Sequence, residues 1–254
     1  MKTLIAALAA TVLLAALPAK ADDLASIRAA KTLRIGTEGT YAPFTFHDAS
    51  GALVGFDVEI GRAVAKKLGV EPQFVEGKWD GLIAGLDAGR YDVVINQVGI
   101  TPARQEKFDF SAPYIASKAV LIIRSDNEAI KSFADLKGKT SAQSLTSNFG
   151  RLATEAGAEL VGTDGFDQSI QLVITGRADA TINDSLSFLD FHKQKPQAPV
   201  KIVAEEGNAD QSGIIMRKNN PELKAAIDKA LSEIRADGTY QTISQTYFGA
   251  DVSK

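Results

Sequence analysis

Residues 91–104 read YDVVINQVGITPAR, and the fold turns on how this stretch changes character along its length. From Tyr91 to Ile95 it is apolar and β-branched, the composition of a buried strand. It then runs out into a polar tip, Asn96-Gln97-Val98-Gly99, and Thr101-Pro102 brings Arg104 back beside that tip. Open α/β sheets place ligands at strand ends that open onto loops. An arginine there offers a planar fork matched to a carboxylate. Taken alone, Arg104 reads as readily as the start of a solvated helix, so the rest of the chain must decide.

Upstream, Thr32 to Thr37 reads as a strand ending in Glu38-Gly39-Thr40-Tyr41-Ala42-Pro43. Gly39 and Pro43 interrupt regular structure there, which predicts a loop for Glu38 and Tyr41. Phe56 to Leu68 has helical spacing of Val58, Ile60, Val64, Ala65 and Leu68, stopped by Gly69. A strand at 73–75 and a helix from Trp79 to Ala88 follow. Strands alternating with helices predict parallel pairing in an α/β fold. At 111–124 the pattern breaks: two extended segments follow each other without a helix, as at a crossing between sheets. Strands at 140–143, 159–161, 178–183 and 200–204 then alternate with helices near 147, 167–175 and 185–192. A second crossing is expected near 206–214, with a possible crossing strand at Gly213 to Met216, before two closing helices.

The tip has an echo. Gly89 to Asn96 and Gly176 to Asn183 share the pattern G-R-x-D-x-x-I-N. Either one helix-turn-strand idiom is used twice, or the chain holds two similar α/β lobes joined by the crossings; the second reading is the stronger. Two lobes would point strand ends at a shared cleft. The first would supply Glu38, Tyr41, Trp79, Asn96, Gln97, Gly99 and Arg104. The second would supply the helix start at Ser147 and Asn183-Asp184. Arg104 and the amides of a helix N-terminus suit anions, while Asp184 suits an ammonium. A carboxylate and an ammonium gripped from two sides describe an α-amino acid. Asp184 is also a natural helix cap, and Tyr41 and Trp79 could be core or rim aromatics.

Composition limits the alternatives. The 254 residues are 45% hydrophobic and 23% charged with a net charge of -3, an ordinary globular balance without the basic stripe that nucleic acid would require. Lys2, the apolar run from Leu4 to Leu17 and Ala19-Lys20-Ala21 predict a signal peptide over residues 1–21, cleaved after Ala21. The run is too short for a good membrane span. With no cysteine the protein must fold without disulfides and cannot be lipid-anchored through one, so it is expected free in the periplasm. Catalytic and metal signals are poor. His47 and His192 have no metal-ligand spacing and are expected at the surface, and no G-x-S-x-G or phosphate-cradling loop is present. No cofactor and no metal are expected.

The residues together resemble the extracellular solute-binding proteins of polar amino-acid ABC importers. The motifs are Leu33 to Phe46, Val54 to Glu59, Trp79-Asp80-Gly81-Leu82, Tyr91 to Arg104, Phe108 to Tyr114, Gly176 to Asp184 and the end from Gly238 to Gly249. EGTYAPF, KWDGL, DVVINQV and FGADVSK are most similar to the cystine-binding branch. The resemblance implies a two-lobed type II periplasmic-binding-protein fold closing on an amino acid about two hinge crossings, with an inner-membrane ABC permease as partner and a monomeric state. It assigns 22–115 and 212–254 to lobe 1 and 116–211 to lobe 2. It puts the α-carboxylate on Arg104, the α-ammonium on Asp184, and the side chain against Tyr41 and Trp79, beside Glu38, Asn96 and Gln97. Ser144, Thr146, Ser147 and Asn148 would add hydroxyl and backbone contacts. This chain departs at Gly99, where the family usually carries Ser or Thr, and at Thr146-Ser147, usually Gly-Thr. A dehydratase-type enzyme on the same scaffold is the alternative, with Glu38 as its acid/base.

Overall fold

The computed structural model describes residues 23–253; the expected signal peptide lies outside them. The chain is α/β with two five-stranded sheets, one in each lobe. The first sheet has the order Glu71–Glu76, Thr32–Thr37, Val93–Val94, Ile215–Arg217, Phe108–Phe110. The second has the order Glu159–Gly162, Thr140–Gln143, Ala180–Asp184, Ala119–Arg124, Val200–Glu205. The first three strands of each sheet are parallel, and the fourth is antiparallel to both neighbours. The parallel pairing expected from alternating strands and helices thus holds for three strands of each sheet, and an antiparallel fourth strand joins them. A parallel return needs a crossover of a dozen or more residues, usually a helix. Ala119–Arg124 and Ile215–Arg217 instead enter their sheets straight from the connection between lobes.

That connection is a two-stranded ladder, Ile115–Ser117 against Asp210–Ser212, with Gln211 opposite Ala116. The second crossing strand, Asp210–Ser212, falls within the 206–214 stretch expected for the crossing, while the possible strand at 213–216 belongs to the first sheet as Ile215–Arg217. The opening strand is also shorter than predicted. Only Val93–Val94 pairs regularly with Thr32–Thr37; past Ile95 the Gln97 N–H goes to the Asp57 side chain, while Val98 and Ile100 bond to the backbone of Gly213 and Gln211. Thr40–Tyr41, expected as loop, forms a small antiparallel sheet with Thr45–His47 and Leu53–Val54.

Periodicity explains the helices that carry these sheets. Phe56–Leu68 buries Phe56, Val58, Ile60, Val64 and Ala65. Asp57 and Glu59 sit in its first turn and Lys66 and Lys67 in its last, matching the helix dipole. Gly69 ends it at φ 75°, a left-handed cap that favours glycine. Phe56 lies 5.1 Å from Phe248 and 5.9 Å from Tyr240 between ring centres, which packs the C-terminal helix Thr239–Phe248 onto the first lobe. In the second lobe, Leu121, Ile123, Leu136, Ala153, Ala180 and Ile182 form a separate apolar cluster.

The sequence echo has one physical meaning in both lobes. Asp92 accepts the backbone N–H of Arg34 at 2.9 Å, and Asp179 accepts that of Thr140 at 2.8 Å. Each aspartate backbone N–H returns a bond to the carbonyl of the same residue. The paired aspartates tie the entry of the third strand of each sheet to its parallel neighbour, Thr32–Thr37 in one lobe and Thr140–Gln143 in the other. Gly89 and Gly176, at φ 72° and 70°, make the same left-handed turn before them.

Candidate functional site

The strand ends of the two lobes face a common cavity of about 50 Å³. One water needs about 10–15 Å³ on the same measure, so the space admits several water-sized groups. Glu38, Tyr41, Trp79, Gln97 and Gly99 line it from the first lobe, and Ser144, Ser147, Asn148, Asn183 and Asp184 from the second. Among the expected residues, Asn96, Arg104 and Thr146 stand off the wall.

Each of those three has a definite task. Asn96 is fully buried behind Glu38: its Oδ1 accepts the Glu38 backbone N–H at 2.8 Å, and its Nδ2 donates to Glu38 Oε2 at 2.6 Å. It holds the carboxylate that faces the cavity. Thr146 is exposed and donates both its backbone N–H and its hydroxyl to Asp80 Oδ1, at 2.9 and 2.8 Å. Asp80 also accepts the Leu145 N–H at 3.3 Å. Asp80, a carboxylate of the first lobe, thus holds the loop just before the Ser147 helix, and Thr146 stands at the rim.

Arg104 stands behind Gly99 and Trp79. Thr101 caps its short helix by accepting the Arg104 N–H at 3.3 Å, with Pro102 in the first turn. The guanidinium donates through Nη1 to Gly99 O at 3.0 Å and lies 5.4 Å over the Trp79 ring. Burial, then the like charge of Arg151, lowers its pKa to about 10. Its remaining N–H groups leave the fork available for a carboxylate.

On the facing wall Asp184 has two roles. Its Oδ1 accepts the Leu186 N–H at 2.8 Å and so caps the Ser185–Gln194 helix, while its Oδ2 accepts the Ser117 hydroxyl. Burial pushes its carboxyl up to about 6, against these hydrogen bonds. The cap and the cavity wall are one residue. Ser147 is spent locally, accepting the Gly150 N–H at 2.9 Å and donating to Ser144 O at 2.8 Å. Burial likewise raises Glu38 to about 7, although Asn96 and the Trp79 amide bond to its charged form.

Sequence reasoning missed Ser117, Lys118, Asp210 and Ser212, which the crossing strands and their flanks bring to the wall. It also missed Gln143, Phe149, Phe166 and Ser169. Polar residues in short crossing strands carry no periodic signal, whereas Phe166 opens a helix whose amphipathic spacing was visible. His47 and His192 are exposed as expected, and among the described residues no group of three His, Cys, Asp or Glu could hold a metal ion.

The chain matches the model of the bacterial extracellular solute-binding proteins, family 3, over residues 33–250. It is 48% identical over 238 residues to the L-cystine-binding protein TcyA of Bacillus subtilis, covering 93% of this chain and 88% of that one. It is similar to the L-cystine solute receptor of Neisseria gonorrhoeae in the unliganded open conformation, at 51% identity and a TM-score of 0.60, over 91% of this chain and 99% of the receptor. Against an ancestral arginine-binding protein bound to arginine the identity is lower, 42%, but the TM-score rises to 0.81, over 86% and 99% of the chains. The arrangement of the lobes is thus nearer to the ligand-bound structure than to the open one. With the match spanning both lobes and the sheet order repeated in each, this chain belongs to the bacterial extracellular solute-binding proteins, family 3.

Proposed function

We propose that this chain is the periplasmic solute-binding component of an amino-acid ABC importer, which closes on an L-amino acid and delivers it to a membrane permease. The observation that carries this reading is a cavity walled by both lobes, with an arginine behind one wall and a buried aspartate in the other. Arg104 takes the α-carboxylate and Asp184 the α-ammonium. Glu38, Tyr41, Trp79, Gln97, Gly99, Ser144, Ser147, Asn148 and Asn183 surround the remainder, with Asn96 and Thr146 supporting them from behind and at the rim. Lobe 1 comprises 22–115 and 212–254, and lobe 2 comprises 116–211. The protein acts as a monomer after cleavage behind Ala21, and it binds its ligand without chemical change.

Cystine is the ligand we favour, on the strength of the cystine-binding relatives. A thermal-shift screen of the twenty amino acids and L-cystine tests the reading, because a ligand of the folded state raises the melting point. Cystine should give the largest shift, with the compound recovered unchanged. No shift with any amino acid would overturn it, and turnover of a prephenate-like substrate would replace it with the enzyme.

A further inference from the structure

Asp57 does not line the cavity. It sits fully buried in the first turn of the Phe56–Leu68 helix. Its Oδ2 accepts the backbone N–H of Gln97 at 2.8 Å. Its Oδ1 accepts a side-chain N–H of Gln97 at 2.8 Å and the Tyr114 hydroxyl at 3.0 Å. This double grip holds Gln97 at φ 50°, a left-handed conformation that non-glycine residues adopt only where their surroundings impose it.

The grip also decides which end of the Gln97 amide is tied down. Burial raises the Asp57 carboxyl to about 7 against these three hydrogen bonds. Above that pH it is a carboxylate, which only accepts, so the amide nitrogen faces Asp57 and the carbonyl is left over. Among the described residues, Gln97 Oε1 and Trp79 Nε1 are the buried side-chain polar atoms without a hydrogen-bond partner. Both residues are more than nine-tenths buried and both line the cavity. One atom accepts and the other donates. A site with such atoms discriminates steeply against any ligand that leaves them unpaired.

We propose that Asp57 is a positioning residue for ligand selection. It fixes the Gln97 carbonyl so that, with the Trp79 indole N–H, the cavity favours amino acids whose far end carries both a hydrogen-bond donor and an acceptor. A side-chain amide meets that demand, and so does a second amino-acid head. The inference rests on the amino-acid reading above and narrows it.

Asp57→Asn is the informative change. The Gln97 backbone N–H cannot reverse, so the new amide must keep its oxygen there and turn its nitrogen toward the Gln97 side chain and Tyr114. The Gln97 amide then flips, and its nitrogen replaces the carbonyl at the cavity. L-glutamine and L-methionine sulfoxide form a neutral probe pair of similar size: the first donates and accepts, the second only accepts. Calorimetry on the full mature chain should show at least tenfold preference for glutamine in the wild type, and at least a tenfold fall in that ratio in Asp57→Asn. L-cystine, whose far carboxylate can accept from both donors after the flip, should change least. A merely structural role would weaken all three ligands together. Gln97→Leu leaves Asp57 intact and should abolish the preference by itself, which keeps the test decisive if Asp57→Asn does not fold. An unchanged ratio in either folded variant overturns the proposal. If no amino acid binds, the amino-acid reading fails separately. Hydrogen exchange of the Gln97 side-chain amide still tests the grip of Asp57, and equal protection in wild type and Asp57→Asn overturns it.

Discussion

The Tyr41 hydroxyl donates to Asn183 Oδ1 at 2.8 Å, a direct bond from the small sheet of the first lobe to the last residues of a second-lobe strand. The Ser187 hydroxyl adds a bond to Ala42 O at 2.8 Å. Both form only when the lobes meet, so they favour closure whatever the cavity holds. A net hydrogen bond contributes about 1 kcal/mol, roughly fivefold in a binding constant. Tyr41→Phe should therefore weaken ligand binding about fivefold in calorimetry with little change in melting point. Wild-type affinity would show that the bond contributes nothing to closure.

Arg104→Ala should weaken amino-acid binding far more. A charge-assisted hydrogen bond nets about 1.5–3 kcal/mol, so a loss of at least tenfold is expected, and an unchanged dissociation constant would remove Arg104 from the site.

Asp184 offers a cleaner separation, because asparagine still caps a helix. Asp184→Asn should keep its thermal stability while losing affinity at least tenfold. The reverse result, a lower melting point with intact binding, would make Asp184 a cap alone.

Gly99 is open to a side chain. A Cβ there would meet its nearest neighbours, Arg104 Nη1 and the Asn148 side chain, at 3.6 and 3.7 Å, ordinary contact distances. Gly99→Ser should fold, with a stability change of about 1 kcal/mol or less. Its hydroxyl would stand between the two residues and should alter affinity more than stability. Loss of folding would contradict this geometry.

The buried carboxyls give a signed pH dependence. In the folded protein Glu38 is raised from 4.5 to about 7, so between those values the folded state binds more protons than the unfolded one. Stability therefore falls as pH rises through that window; the penalty is absent below it and complete above it. Glu38→Gln removes the penalty, so its melting point relative to wild type should climb between pH 4.5 and 8. A constant difference would refute the shift. Affinity runs the other way at Asp184: its carboxyl titrates at about 6, so binding of an ammonium should weaken as pH falls below that value.

Much of the architecture was legible in the chain itself. Glycine stops and apolar spacing located Phe56–Leu68 to the residue, and the repeated G-R-x-D-x-x-I-N marked equivalent positions in two sheets. Its aspartates turned out to anchor strands, while its asparagines diverged: Asn96 braces Glu38, and Asn183 accepts from Tyr41. The direction of the fourth strand was not legible, because it depends on whether a strand arrives through a helix or straight from a crossing. Nor was the placement of Ser117 and Asp210, which a ladder between distant segments decides. The orientation of the Gln97 amide was hidden for the same reason, since it is set by Asp57 forty positions earlier.

Asp80 lies on the first lobe, yet it receives the Leu145 and Thr146 amides of the second, and Lys78 next to it pairs with Asp164 at 2.7 Å. The rim is thus latched between the lobes by groups that do not line the cavity. If these contacts must break before an amino acid enters, as the proposed function requires, capture is a gated event. At high ligand concentration the observed association rate should stop rising and settle at the rate with which this latch slips, making loading speed a property of the rim, separable by mutation from the strength of the grip inside.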